Sequence, residues 1–342
     1  MEGTYLSYEA CPLFLLQSKK ELCRILSIKD KRMLKQDFIT KLVEPYIDRT
    51  GKPRLIEPPQ IVLKEIQCRI KEHLSRIDIP DNVFSGVKGR SYVENAIHHA
   101  GNMPRYLYKI DLTGFFPSIN RGLVYRFFLQ DMKCAPDIAR ILTDLTTIDL
   151  SRASMQNPDE VYSFLAEKQI KCFNHLISGA PSSQILSYLV NRKMFDEIER
   201  IAEKNSITMT IYVDDITFSS PYKMPGEFKS TVKSIVKKNG YSISRGKVRS
   251  YRKKSPKLVT GVVIDAQGQI QIRNALSYKI ITAFEYVKNN PDDIKRKEQL
   301  IGLITAARQV KKGAYPSIYR FVMVLNNEGV VKKDKSKADK PI

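Results

Sequence analysis

The sequence predicts an α+β fold, and three observations point to it. Both ends of the chain are helical in character. Residues 106–112 alternate apolar and polar side chains and carry an acid near their end, Asp111. Residues 207–219 read as a strand, a tight acidic turn and a second strand. The middle of the chain alternates strands with helices, so the expectation is a small antiparallel sheet backed by helices, with helical lobes on either side.

Taken in order, the first forty or so residues mix charged and apolar positions as surface helices do. Residues 46–57 form two short extended runs around Gly51, a hairpin whose tip carries Lys52 and Arg54. Pro58 and Pro59 stop it, and Ile66, Ile70, Leu74 and Ile77 then recur at the three- and four-residue spacing of one buried helix face. From Ser183 to about Ala202 the apolar spacing predicts one amphipathic helix, with Ser182 or Ser183 as its cap. Residues 227–239 predict a helix ended by Gly240. Residues 259–264 read as a single strand, and the pattern is helical again from Leu276. Residues 332–340 are too charged to pack and are expected to fray.

Lys and Arg outnumber Asp and Glu by 57 to 36, a net charge of +21 that makes a polyanion the expected partner. A membrane surface is the other polyanion, but no apolar run approaches the roughly 20 residues of a spanning helix. The opening Met1-Glu2 has no basic start, so no signal peptide is expected. Five scattered cysteines without a CxxC pair suit a reducing cytoplasm and offer neither a disulfide framework nor a cysteine zinc site.

The sharpest local feature is Tyr212-Val213-Asp214-Asp215, flanked by Thr208-Met209-Thr210-Ile211 and Ile216-Thr217-Phe218. Taken alone, the acids are ordinary turn residues. Asp111, at the end of its own strand, changes the reading: neighbouring strands would bring Asp111, Asp214 and Asp215 to one point. Adjacent carboxylates repel unless a cation lies between them, and oxygen donors without His or Cys suit Mg²⁺. Two such ions about 4 Å apart serve in-line phosphoryl transfer. A basic chain with a compact acidic cluster is what nucleotide polymerisation calls for.

The ordered set of motifs resembles a reverse transcriptase of the bacterial retron type. It runs from the basic hairpin through Asp111-Leu112-x-x-Phe115-Phe116-Pro117-Ser118, Gly179-Ala180-Pro181-Ser182-Ser183 and Tyr212-Val213-Asp214-Asp215 to Gly240 with Lys247. Asn95-Ala96-Ile97-His98-His99 and Val259-Thr260-Gly261 are similar to two retron elements, NAxxH and VTG. The resemblance implies a right-hand polymerase: an N-terminal helical segment at 1–45, fingers at 46–105, a palm at 106–265 sharing part of the fingers, a helical thumb at 266–330 and a basic tail at 331–342.

It also implies roles. Asp111, Asp214 and Asp215 would be the catalytic, metal-binding acids, served by two Mg²⁺ ions for which Mn²⁺ can substitute. Tyr212 and Val213 would lie near the primer end, and Gly179, Ala180 and Pro181 would let the backbone approach the template–primer. Phe116 matches the aromatic steric gate that excludes a ribose 2′-OH, and Phe115 is expected in the core. Lys52 and Arg54 could clamp the incoming triphosphate or stand as a solvated turn. Lys247 matches a lysine that neutralises the leaving pyrophosphate. Arg252, Lys253, Lys254, Lys311 and Lys312, with Tyr315 and Tyr319 nearby, suit RNA contacts. His99 and Asn95 serve as family marks without assigned chemistry.

Two departures stand out. Related enzymes have Pro-Gln before the glycine, whereas this chain has Ile177-Ser178, too short for the glutamine's contact with the nucleotide. The stretch 148–173 is longer than the pattern. The resemblance further implies a dedicated noncoding RNA as template and primer, dNTP substrates, priming from a guanosine 2′-OH, a branched multicopy single-stranded DNA product, and phage defence with a separate effector protein. Rival readings are a group II intron-like or other bacterial reverse transcriptase, and a non-catalytic RNA-binding protein that keeps the palm as scaffold. Little chain is expected beyond the thumb for a maturase or endonuclease module, and the intact acids argue against a bare scaffold.

Overall fold

The computed structural model describes residues 7–324, and the expected tail at 331–342 lies outside them. Contacts divide the chain into two compact units, one built from residues up to Ser91 and from Leu107–Ser250, the other from Tyr92–Tyr106 and the residues from Tyr251 onward.

The first unit holds a four-stranded sheet and two hairpins. Strand β1 (Tyr46–Asp48) pairs antiparallel with β2 (Arg54–Ile56), Asp48 opposite Arg54, so the basic hairpin forms as the sequence predicts. Strand β3 (Tyr106–Asp111) is the expected acid-tipped strand. Strands β4 (Thr147–Asp149) and β5 (Asn174–Leu176) pair antiparallel at the base of the long 148–173 stretch, whose helix Pro158–Glu167 packs on β1. Strands β6 (Thr208–Tyr212) and β7 (Asp215–Ser220) pair in register from Thr208–Ser219 to Tyr212–Asp215. With β8 (Arg249–Tyr251) they give the order β6-β7-β3-β8, which sets β3 between β7 and β8.

Helices cover this sheet through one continuous apolar core that includes Ile66, Ile70, Phe127, Phe128, Leu186, Phe195 and Phe218. Ile66, Ile70 and Leu74 form the buried face of the helix Ile61–Leu74; Ile77 is buried just beyond its end. The N-terminal region is helical only in short pieces, Lys19–Ile25, Gln36–Thr40 and one 3₁₀ turn. The helix Gly226–Lys238 ends as expected, with Gly240 at φ +85°.

Two expectations are corrected. The predicted helix from 183 to about 202 is two helices, Ser183–Val190 and Arg192–Lys204, which break at Asn191. Asn191 is buried; its amide donates to the Ser187 carbonyl at 2.9 Å and its side-chain oxygen accepts from the Tyr241 hydroxyl at 2.6 Å, bonds that hold it out of helical geometry. Neither serine caps the first helix by its side chain: Ser183 Oγ instead donates to the Ile177 carbonyl at 2.6 Å.

In the second unit, residues 259–264 are a hairpin and not one strand. Strand β9 (Lys257–Val259) turns through Thr260 (φ +44°) and Gly261 (φ +91°) into β10 (Val262–Ile264), which also pairs with β11 (Ile270–Gln271). Two consecutive positive φ angles make the primed turn that tight hairpins favour. A threonine seldom occupies that region. Here its Oγ1 donates to the Tyr92 carbonyl at 2.6 Å and accepts from Asn95 Nδ2 at 3.3 Å, so the NAxxH and VTG elements hold each other. Helices Asn274–Asn289 and Ile294–Val310 pack around Ile280, Val287, Leu300 and Ile304. No helix among the described residues is long and apolar enough to cross a membrane.

Candidate active site

The acids meet because β3 has a neighbour on each side. On the β7 side, Val213 takes φ +58° to turn the β6–β7 hairpin, and the Asp214 carbonyl at that turn accepts from Leu112 N at 2.9 Å. The residue after Asp111 is thus bonded to Asp214 itself. On the other side, residues 242–244 zip along the end of β3: Thr113 N donates to the Ser242 carbonyl at 2.8 Å and Ser244 N to the Asp111 carbonyl at 2.9 Å. That pairing feeds directly into the 3₁₀ turn Arg245–Lys247 and delivers Lys247 to Asp111.

Two lysines answer two of the three carboxylates. Lys247 Nζ donates to both Asp111 oxygens, at 2.6 and 2.7 Å. Lys109 Nζ lies 2.7 Å from Asp215 Oδ2. Lys109 and Asp111 sit two apart on one strand and share its face, so Asp215 across the ladder finds a cation beside the acid. Lys109 is not singled out by any motif, although its i, i+2 spacing from Asp111 is legible in the sequence. Among the described residues no lysine or arginine pairs with Asp214 in this way. Burial first, then the charges of Asp111 and Asp215, push its carboxyl up to about 6, against weaker pulls from its own backbone N–H and Lys247. Burial also raises Asp215, with Lys109 opposing.

The donor set fits a hard divalent cation. All donors are carboxylate oxygens, and Asp215 Oδ1 is buried with no hydrogen-bond partner among the described residues, an atom whose desolvation a cation would offset. Among the described residues, no group of three or more His, Cys, Asp or Glu side chains is arranged so that it could by itself hold a metal ion. The lysines hold Asp111 and Asp215 instead.

The other residues predicted for the first unit fall into place around recognisable elements. Gly114, at φ +51°, starts the short helix Phe115–Ser118, and a β-carbon there would collide with Ile170 of the 148–173 stretch. Phe115 is core, with ring centroids 5.4 Å from Tyr241 and 6.4 Å from Phe195, whereas Phe116 is half-buried. Tyr212 and Val213 are half-buried at the hairpin. Gly179 is exposed at φ +103°, a conformation that suits glycine, and is followed by buried Ala180 and half-buried Pro181. Lys52 and Arg54 are exposed on the basic hairpin.

A buried junction that sequence reading missed ties that hairpin to Gly179. Glu57 and His175 are fully buried, Oε1 to Nε2 at 2.8 Å, and Glu57 Oε2 accepts from Ser178 N at 2.6 Å. Ser178 donates its hydroxyl to the Leu55 carbonyl at 3.1 Å.

The remaining candidates belong to the second unit. Arg252, Lys254, Lys311 and Lys312 are exposed there. Lys253 is half-buried, and its carbonyl accepts from the buried Lys257 ammonium at 2.9 Å. Tyr319 stacks under Arg308 at 3.9 Å and is engaged within its own unit.

Comparison with known proteins follows the same lines. The family described as reverse transcriptase (RNA-dependent DNA polymerase) matches residues 34–264. The chain is 29% identical over 219 residues to the retron Mx65 reverse transcriptase of Myxococcus xanthus, covering 64% of this chain and 49% of that protein. It is 28% identical over 239 residues to the retron Mx162 reverse transcriptase of the same organism (65% and 46%). Against the retron Se72 reverse transcriptase of Salmonella heidelberg it is 28% identical over 243 residues (69% and 54%). The chain spans about half the length of these relatives.

Proposed function

Because the chain belongs to the reverse transcriptase (RNA-dependent DNA polymerase) family, and its likeness within that family is to the retron type, we propose that it is an RNA-directed DNA polymerase of retron type. It would copy part of a cognate structured noncoding RNA into branched multicopy single-stranded DNA, starting from an RNA 2′-OH. The observation that carries this reading is the direct bond between Leu112 and Asp214, which joins two acids 103 positions apart at one end of the sheet.

Asp111 and Asp214, with Asp215 in support, would hold Mg²⁺. Bound there, the metal supplies Lewis-acid activation of the attacking hydroxyl and charge stabilisation at the leaving oxygen. The chain's own residues do the rest. Lys247, on an exposed turn, would move its ammonium from Asp111 to the departing pyrophosphate and neutralise it there. Phe116 offers a ring edge against the sugar of the incoming dNTP, and Lys52 with Arg54 would grip its triphosphate. The Gly179 backbone lets the template–primer come close. The basic surface of the second unit would hold RNA, consistent with the net charge of +21.

A cytoplasmic place in a bacterial cell and a separate defence effector complete the retron reading. Primer extension on an RNA template tests the polymerase: Mg²⁺-dependent DNA synthesis supports it, and RNA binding without synthesis favours the scaffold alternative. Sequencing the nucleic acid that copurifies with the protein tests the retron assignment, which requires an RNA joined to a single-stranded DNA. An excised intron in its place supports the group II alternative.

A further inference from the structure

The junction of Glu57 and His175 lies between three parts of the proposed site. Strand β2, which ends one residue before Glu57, carries Arg54; the backbone N–H of Glu57 donates to the Ser178 carbonyl at 3.0 Å, so the strand continues its pairing onto the residue before Gly179. His175 sits on β5, whose next residue, Leu176, donates to the carbonyl of Ile119, just past the Phe116 helix. The third wall is the long 148–173 stretch. His175 pairs with Ile148, its Nδ1 lies 3.0 Å from the Cys172 carbonyl, and Arg49 of the hairpin reaches Glu160 at 2.7 Å.

Every polar atom in this junction has one assigned partner. Both carboxylate oxygens of Glu57 are used, one by His175 and one by Ser178 N. Nδ1 faces a carbonyl, which cannot donate, so Nδ1 carries a proton; the other nitrogen faces a carboxylate, and the pair shares a second proton between them. Apolar side chains would fill the same volume at lower desolvation cost. An ion pair adds direction: it is satisfied in one relative placement of β2, β5 and residue 178, and in no slipped one. Ser178 Oγ repeats the tie at Leu55.

We propose that Glu57 and His175 are a positioning pair for the incoming nucleotide, locking the Arg54-bearing strand to the Ser178–Gly179 backbone so that the triphosphate clamp and the template-facing glycine form one rigid piece. This rests on the polymerase reading above. Pocket geometry is then set from behind, by a buried junction, and the 148–173 stretch is its outer brace. Neither residue touches the nucleotide, so neither is catalytic. Their signature is a raised KM for dNTP with kcat nearly intact.

The test is steady-state single-nucleotide incorporation on a primed RNA template by wild type, E57Q, H175Q and S178A, with template–primer affinity and melting measured alongside. In E57Q and H175Q the KM for dNTP should rise about tenfold, since displacement of a binding group by a fraction of an ångström is costly. S178A should shift it the same way, by about threefold, while kcat and template–primer affinity stay within about twofold in all three. A wild-type KM in folded variants overturns the proposal, as does a parallel loss of kcat and template affinity. Should E57Q and H175Q fail to fold, S178A, outside the buried pair, decides the question by the same KM criterion. A wild type that synthesises DNA beside variants of unchanged KM sinks this inference alone; a wild type that synthesises none sinks the polymerase reading and this inference with it.

Discussion

Lys247 Nζ lies within 2.7 Å of both carboxylate oxygens of Asp111, a pair joined across 136 positions of sequence. Its counterpart, Lys109 with Asp215, lies at a like distance, 2.7 Å, in a different setting. Lys247 is 52% exposed, whereas Lys109 is 16% exposed. Equal distances therefore carry unequal consequences: one lysine is free to move during a reaction, and the other is built into the sheet.

For Lys247→Ala the account expects a chemical defect larger than the structural one. The lysine is half-exposed but the Asp111 side chain is only 9% exposed, so leaving that carboxylate unpaired should lower the unfolding free energy by about 1–3 kcal/mol in a urea titration. The rate of nucleotide addition should fall by about 10²-fold, the lower end of what a positioned proton donor supplies. Single-turnover incorporation measures it.

Lys109→Met carries a structural cost as well. It leaves the Asp215 carboxylate largely buried with no partner on either oxygen, since Oδ1 already lacks one. A loss of about 1–3 kcal/mol in unfolding free energy is expected, read by urea titration.

Phe116→Ala should raise ribonucleotide incorporation relative to deoxynucleotide by roughly tenfold to a hundredfold, the range an apolar pocket commands over one hydroxyl. Competition between dNTP and rNTP in a primer-extension ladder gives the ratio. An unchanged ratio removes the gate assignment. Phe115, packed on Tyr241 and Phe195, should affect stability and leave selectivity alone.

The Glu57–His175 pair predicts a pH dependence of stability. Burial disfavours the charged imidazole, but the Glu57 carboxylate, the Cys172 carbonyl and Asp149 outweigh it and raise His175 above its ordinary 6.5. The folded chain then keeps a proton that the unfolded chain releases above pH 6.5. The stabilisation is complete below that pH and is lost as pH rises through the folded value. Urea midpoints measured upward from pH 6.5 should fall more steeply for wild type than for H175Q.

Much of the fold was legible because local chemistry and tertiary use agree. The β6–β7 turn announced itself through paired aspartates between β-branched alternations, and the basic hairpin through Gly51 between two short extended runs. Where side chains are committed to distant partners, the local signal fails. Asn191 leaves the apolar spacing of residues 183–202 unbroken, and the helix break there is tied to Tyr241 taking its side-chain oxygen. Thr260 is an improbable residue for a left-handed turn, and the groups that hold it there, Asn95 and Tyr92, lie 165 and 168 positions away. At the candidate site the acids were legible from their motifs. Lys247 was singled out by its motif too, but its pairing with Asp111 was not, because no spacing rule links the two, and the Glu57–His175 junction left no trace in either local segment.

The central claim is that three carboxylates serve DNA synthesis, and Asp214→Asn addresses it most directly. With RNA template, primer, dNTPs and Mg²⁺, the wild type should extend the primer, while the variant, matched for RNA affinity in the same preparation, should fall at least about 10³-fold below it. Synthesis by the asparagine variant at the wild-type rate would contradict the account.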